Sequence, residues 1–222
     1  MSGFWVQALA VARRDLYRER RAGEVVWITI PFGAIALLLI PMAVGTDLPL
    51  LREIGPGLFW VVVMLFGVLI SVRRTSGETP AQRDLMSLLG VDAGAAFTGR
   101  VLASTGMLLM FEIVIGVVAV LLYDIELGGW PWLLAIVPLA AVGLGLLGVV
   151  AGGVTASLNA SAALVPLLVA PLAVPLLLAA TEAMDGIQTD GSILPWMLLM
   201  VVVDLALAIA GVLTARPLQE TQ

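Results

Sequence analysis

The chain has no cysteine, no histidine and no lysine; all 11 of its cationic side chains are arginine. Charged residues of either sign make up only 12% of it and aromatics 6%. Each absence removes a class of chemistry. Without Cys there is no disulfide framework. Without His or Cys, a zinc site would rest on carboxylates alone, and no Ser-His or Cys-His nucleophilic pair can be assembled. Without Lys there is no Walker A loop to hold the β- and γ-phosphates of a nucleotide. What remains is apolar: 61% of the 222 residues are hydrophobic and the mean hydropathy is +1.09. A soluble domain is roughly 45–50% apolar and about 25% charged, so the soluble and disordered classes are excluded. The net charge of −5 says less than the placement of the charges.

A helix needs about 20 apolar residues to cross a hydrocarbon core of roughly 30 Å. Six stretches qualify: Val25–Gly45, Ile54–Val72, Val101–Tyr123, Trp130–Val154, Ala163–Met184 and Ile193–Ala215. Helices are the open-ended structures that satisfy their own backbone groups in lipid. The expected fold is therefore an all-α membrane protein, a six-transmembrane-helix bundle forming a single domain over residues 1–222. Pro31, Pro41, Pro138, Pro166, Pro171 and Pro175 fall inside these spans and predict kinks. The last three share the segment LVPLLVAPLAVP, which is expected to bend or partly unwind.

Arginine placement predicts orientation. Arg13, Arg14, Arg18, Arg20 and Arg21 precede the first span; Arg73, Arg74, Arg83 and Arg100 lie between the second and third; Arg216 follows the sixth. The opposite connections hold only Arg52, with the acids Asp47, Glu53, Asp124, Glu126, Asp185 and Asp190. Both termini are therefore expected on the cytoplasmic side of the membrane. Trp130, Trp132 and Trp196 then belong to the outer aromatic belt and Trp27 to the inner one. The basic cluster runs into an apolar stretch too long for a signal peptide, with no small-x-small site after it, so insertion without cleavage is expected.

Two segments stand apart from the spans. In Ser2–Arg21, residues Phe4, Trp5, Ala8, Leu9, Ala12 and Leu16 recur at helical spacing, with Arg13, Arg14, Arg18 and Arg21 around the rest of the turn. That is an amphipathic interfacial helix, its apolar face toward the acyl boundary and its Arg side chains near headgroups; the plainer alternative is that it only orients the first span. The other segment, Arg73–Arg100, is the one long soluble loop. Ala81–Leu89 suits a short helix, with Pro80 to open it and Gly90 to close it. Leu85, Met86, Leu88 and Leu89 give that helix an apolar side which its own loop cannot bury. This points to docking in a partner's groove, the alternative being contact with the bilayer surface. Arg83 and Asp84 would flank the contact.

Glu112 and Asp204 lie near the middle of the third and sixth spans. A carboxylate at that depth costs at least about 2.5–3.5 kcal/mol, so each should face the bundle. They are candidate intramembrane polar sites lining a path; the plain alternative is a neutral acid hydrogen-bonded across helices. Gly145, Gly148 and Gly152 in the fourth span permit close helix approach. With no strand before them, they do not form a phosphate loop. No catalytic, cofactor-binding or metal residues are assigned.

The amphipathic helix leading into six spans, with one loop carrying a docking helix, resembles a type-2 ABC exporter permease. More closely, QALAVARRDLYRERRAGE, REIGPGLFWVVVMLFGVLISVRR and LVPLLVAPLAVPLLLAATEAMDG resemble the leading helix, second span and Pro-rich fifth span of the haem exporter protein B (CcmB) family. That resemblance implies a half-size permease that dimerises and pairs with a CcmA-like ATPase, where ATP is bound. It also implies CcmC-like and CcmD-like membrane subunits and the release of a haem-loaded CcmE-like chaperone. Haem would be the substrate of the complex, and no cofactor is expected on this chain, which offers iron only Met, Tyr or carboxylate ligands. The coupling segment GETPAQRDLMSLLGVD departs from the family pattern, with Arg83 and Asp84 near its acidic position and Gly90 where Pro is common. Two rival functions compete with this reading. One is a general type-2 exporter permease for a lipid, drug or glycan; the other is an intramembrane enzyme using Glu112, Asp204 or Asp185.

Overall fold

The computed structural model describes residues 3–23, 25–45, 47–76, 90–125, 129–157, 164–189 and 191–220. Among them every regular element is helical: α1 (Phe4–Ala22), a π-helical turn (Val25–Thr29), α2 (Ile30–Val44), α3 (Leu48–Ser76), α4 (Ala93–Tyr123), α5 (Trp130–Ser157), α6 (Leu164–Gln188) and α7 (Leu194–Glu220). Six helical spans are long and apolar enough to cross a membrane: Val26–Val44, which joins the π-helical turn to α2, and the five in α3 to α7. The protein is thus an all-α membrane bundle preceded by an amphipathic helix.

The bundle is organised around α5, which packs against α3, α4, α6 and α7. Residues 143–148 of α5 are buried on every side, as expected of a helix that is apolar all round. By contrast α2 and α7 lie at the rim and turn Phe32, Leu39, Met42, Leu198, Leu205 and Val212 outward. In water such apolar faces would aggregate; in lipid they are the solvated surface. The connections alternate as six spans require. Arg52 on α3 pairs with Asp124 after α4, and Gly129 before α5 meets Ile187 near the end of α6. The three acidic connections therefore gather at one end of the bundle, and the one Arg among them is neutralised there.

Several boundaries differ from those read in the sequence. α4 starts at Ala93, eight residues ahead of the expected Val101. A hydropathy window stops at Arg100, whereas the helix is begun by a cap: the Asp92 carboxylate accepts from the Ala95 amide at 3.0 Å, which satisfies one of the free N–H groups of the first turn. α3 likewise starts at Leu48 rather than Ile54 and runs to Ser76, so Pro56 joins the intrahelical prolines. The Pro-rich segment does not unwind; α6 is continuous through Pro171 and Pro175. These prolines stand four residues apart on the exposed face, while Val165, Val169, Ala173, Leu176 and Ala180 hold the packed face. Their missing donors thus fall on one side of the helix, and the other side keeps its packing. The expected helix Ala81–Leu89 lies outside the described residues.

Pro41 shows how the fold repairs such a loss. Lacking an N–H, it cannot bond the carbonyl four residues back, that of Leu37. The buried Tyr123 hydroxyl on α4 donates to that carbonyl at 2.8 Å, tying α2 to α4. Tyr123→Phe should cost about 1–3 kcal/mol, because it strands an oxygen where no water can reach it. Pro41→Ala restores a backbone donor and should shrink that loss. Thermal unfolding of the two single variants and the double variant in detergent measures the coupling; additive effects would mean that Tyr123 does not serve the carbonyl freed by Pro41.

Candidate functional site

Between α3 and α4 runs the segment from which docking was expected, and Arg83, Asp84, Leu85, Met86, Leu88 and Leu89 all lie outside the described residues. The structure does define the segment's exit. Gly90 takes a positive φ of 70°, a left-handed conformation that suits glycine. Two residues on, the backbone N–H of Asp92 donates to the Gln7 side-chain oxygen of α1 at 2.9 Å. Asp92 is therefore held from both directions, by α1 through its amide and by α4 through its cap.

The hold continues along α4. Phe4 lies over Gly94, Ala8 and Val11 lie against Gly99, and Leu16 reaches Gly106. These contacts advance in step, so α1 and the first half of α4 run side by side in the same direction. At Gly99 the fit leaves no room: a Cβ there would strike the Ala8 carbonyl oxygen and stand 2.7 Å from the Val11 Cβ. Ala95, Gly99 and Ala103, spaced by four, form the small-residue stripe that permits this approach; all three are buried. Sequence reasoning assigned residues 93–100 to a loop and so missed Gln7, Asp92 and Gly99. The available signal was an Asp directly before an Ala- and Gly-rich run, a helix-capping pattern. The apolar stripe of α1 is consequently divided. Ala8, Val11 and Ala12 are buried on α4, while Trp5, Leu9 and Leu16 stay exposed.

The two intramembrane acids are buried, Glu112 at 1% exposure and Asp204 at 7%. Neither carboxyl group has a hydrogen-bond partner among the described residues. They also belong to different seams. One turn before Glu112, Leu108 packs over Gly67 of α3; one turn after it, Gly116 meets Phe59 of α3. Glu112 therefore lies on the α3 side of α4. Asp204 on α7 faces Gly143 of α5, beside Leu176 of α6. A Cβ at residue 143 would overlap both, so the glycine makes room for the carboxyl. Asp185 is exposed and stands nine residues past Leu176, about 13 Å farther along α6 at the helical rise. The three acids do not converge as paired acid–base chemistry requires. Gly145, flagged as a close-approach residue, does close on α4: the Thr105 Oγ1 lies 2.8 Å from where its Cβ would be. Met184, a possible soft ligand, already accepts from the Trp60 indole N–H at 3.0 Å.

Comparison with known proteins agrees with this architecture over most of the chain. The family model described as CcmB protein matches residues 6–219. The chain is 31% identical over 179 residues to heme exporter protein B of Paracoccus denitrificans, covering 78% of this chain and 80% of that one. It is 31% identical over 205 residues to heme exporter protein B of Pseudomonas aeruginosa, with 85% and 86% covered. For the protein of that name from Haemophilus influenzae the identity is 27% over 180 residues, with 80% and 81% covered. A match that runs from the amphipathic helix α1 into the last helix, at such coverage of full-length relatives, means that this chain belongs to the CcmB protein family.

Proposed function

We propose that this chain is the permease subunit of a haem-exporter-type ABC complex in c-type cytochrome biogenesis. It sits in the bacterial inner membrane with both termini cytoplasmic and works as a homodimer. A CcmA-like ATPase grips the segment around Arg83–Leu89, and CcmC-like and CcmD-like subunits complete the complex. The observation that carries the mechanism is the anchoring of Asp92 at the segment's exit. A displacement delivered there by the ATPase is passed at once to α4 and, through Gln7 and the Gly99 contact, to α1. The chain supplies motion and its partner supplies the nucleotide chemistry, consistent with the absence of Lys for a Walker A loop.

Haem enters as substrate of the complex. With no His or Cys and with Met184 engaged by Trp60, tight iron ligation falls to the CcmC-like partner and the CcmE-like chaperone. Deletion of the gene should remove all covalently haem-stained cytochromes from membranes and leave b-type haem spectra intact, and a plasmid copy should restore them. Intact c-type cytochromes in the deletion strain would instead assign the chain to an exporter of a lipid, drug or glycan. Substantial ATP hydrolysis by the purified chain alone would contradict the division of labour.

A further inference from the structure

The packing of α1 on α4 leaves one strip of α1 largely uncovered, with only the edge of Leu16 touching α4 at Gly106. Trp5, Leu9 and Leu16 are exposed at 65%, 51% and 40%. In a helix of 100° per residue they fall within about 40° of one another. Arg13 and Arg20, seven residues apart, border that strip on its outer side, each four residues beyond one of the two leucines. Both are exposed. The other basic residues differ: Arg14 pairs with Asp15 at 2.9 Å, and the Arg21 guanidinium lies 5.9 Å from the Tyr17 ring centroid. Arg13 and Arg20 have no ion pair or hydrogen bond among the described residues. An indole and two leucines edged by two unneutralised guanidinium groups match a phospholipid surface with negative headgroups. The apolar strip enters the acyl boundary and each guanidinium meets a phosphate, which it can bind through two parallel N–H groups.

We propose that α1 carries an anionic-phospholipid site formed by Trp5, Leu9 and Leu16 with Arg13 and Arg20. α4 fixes its orientation by occupying the adjoining face, where Ala8, Val11 and Ala12 are buried. The site is independent of what the complex transports. It also joins the lipid surface to the docking segment, because the same helix holds Asp92 through Gln7.

Brominated lipids provide the test. The full chain is reconstituted in phosphatidylcholine bilayers containing a minor fraction of either brominated phosphatidylglycerol or brominated phosphatidylcholine. The contribution of Trp5 is isolated as the difference from Trp5→Phe. Phosphatidylglycerol should quench Trp5 several-fold more strongly at low salt, reflecting about fivefold enrichment for each Arg near the surface, and the excess should fall at 0.5 M salt. Arg13→Gln with Arg20→Gln should abolish the excess, whereas Arg14→Gln, which removes an already paired cation, should keep it. Equal quenching by the two lipids would overturn the anionic site and leave plain apolar insertion. No quenching by either lipid would overturn lipid contact altogether and assign the strip to a protein partner. Trp5 is not in the buried α1–α4 contact, so a folding failure would show separately as loss of a monodisperse protein.

Discussion

Leu85→Arg or Leu88→Arg is expected to abolish co-purification of the ATPase subunit while the chain still inserts in the membrane. The physical reason is asymmetric. Burying a Leu side chain in a partner's groove contributes about 1.5–3 kcal/mol. Replacing it with a guanidinium removes that gain and also forces a charge into an apolar site, which costs several kcal/mol more unless it is paired. A combined loss of about 4 kcal/mol is a thousandfold in affinity, enough to turn a stable complex into one lost on a column. Insertion should be unaffected because neither position lies in a span. In the proposed grip Arg83, Asp84, Met86 and Leu89 would complete the surface, and charge reversal at Arg83 or Asp84 should act more mildly, as rim charges do. Unchanged co-purification of both Leu variants would remove the docking segment from the mechanism.

Gly99→Leu should release α1 from α4 and abolish function with the spans intact. Nothing at the contact can give way cheaply, since the obstacle includes the Ala8 backbone oxygen rather than the end of a flexible side chain. Overpacking usually costs about 1–3 kcal/mol; here the obstacle is backbone at the centre of the α1–α4 seam, so separation of the helices there is the expected response. The cysteine-free sequence makes the measurement clean. In an Ala8→Cys background residue 8 is fully buried, so a thiol reagent should label it slowly; Gly99→Leu should raise that labelling by at least about tenfold, which corresponds to a loss of roughly 1.4 kcal/mol of protection. Should labelling stay slow, Gly99 would not be the point at which α1 is held. If α1 relays motion from the docking segment, the same variant should also lower c-type cytochrome yield while co-purification of the ATPase persists, separating relay from grip.

The sequence by itself determined the solvent, the number of spans, the asymmetry of Arg and acid along the chain and the classes of chemistry the chain lacks. These depend on single segments: a run of apolar residues is long enough to cross lipid or it is not, and a missing residue type is missing in any fold. Tertiary structure decided which faces meet. Lipid tails are as apolar as Leu, so hydrophobicity does not tell a helix face in protein from one in lipid. That is why Glu112 and Asp204 read alike in sequence yet lie in separate seams, against α3 and against Gly143. It is also why Gly99, in what looked like a polar loop, proved to be a point of close approach between α1 and α4. Close packing and cross-helix hydrogen bonds are contacts between residues far apart in the chain, such as Gln7 with Asp92 and Tyr123 with Leu37, and only the assembled bundle fixes which partners they find.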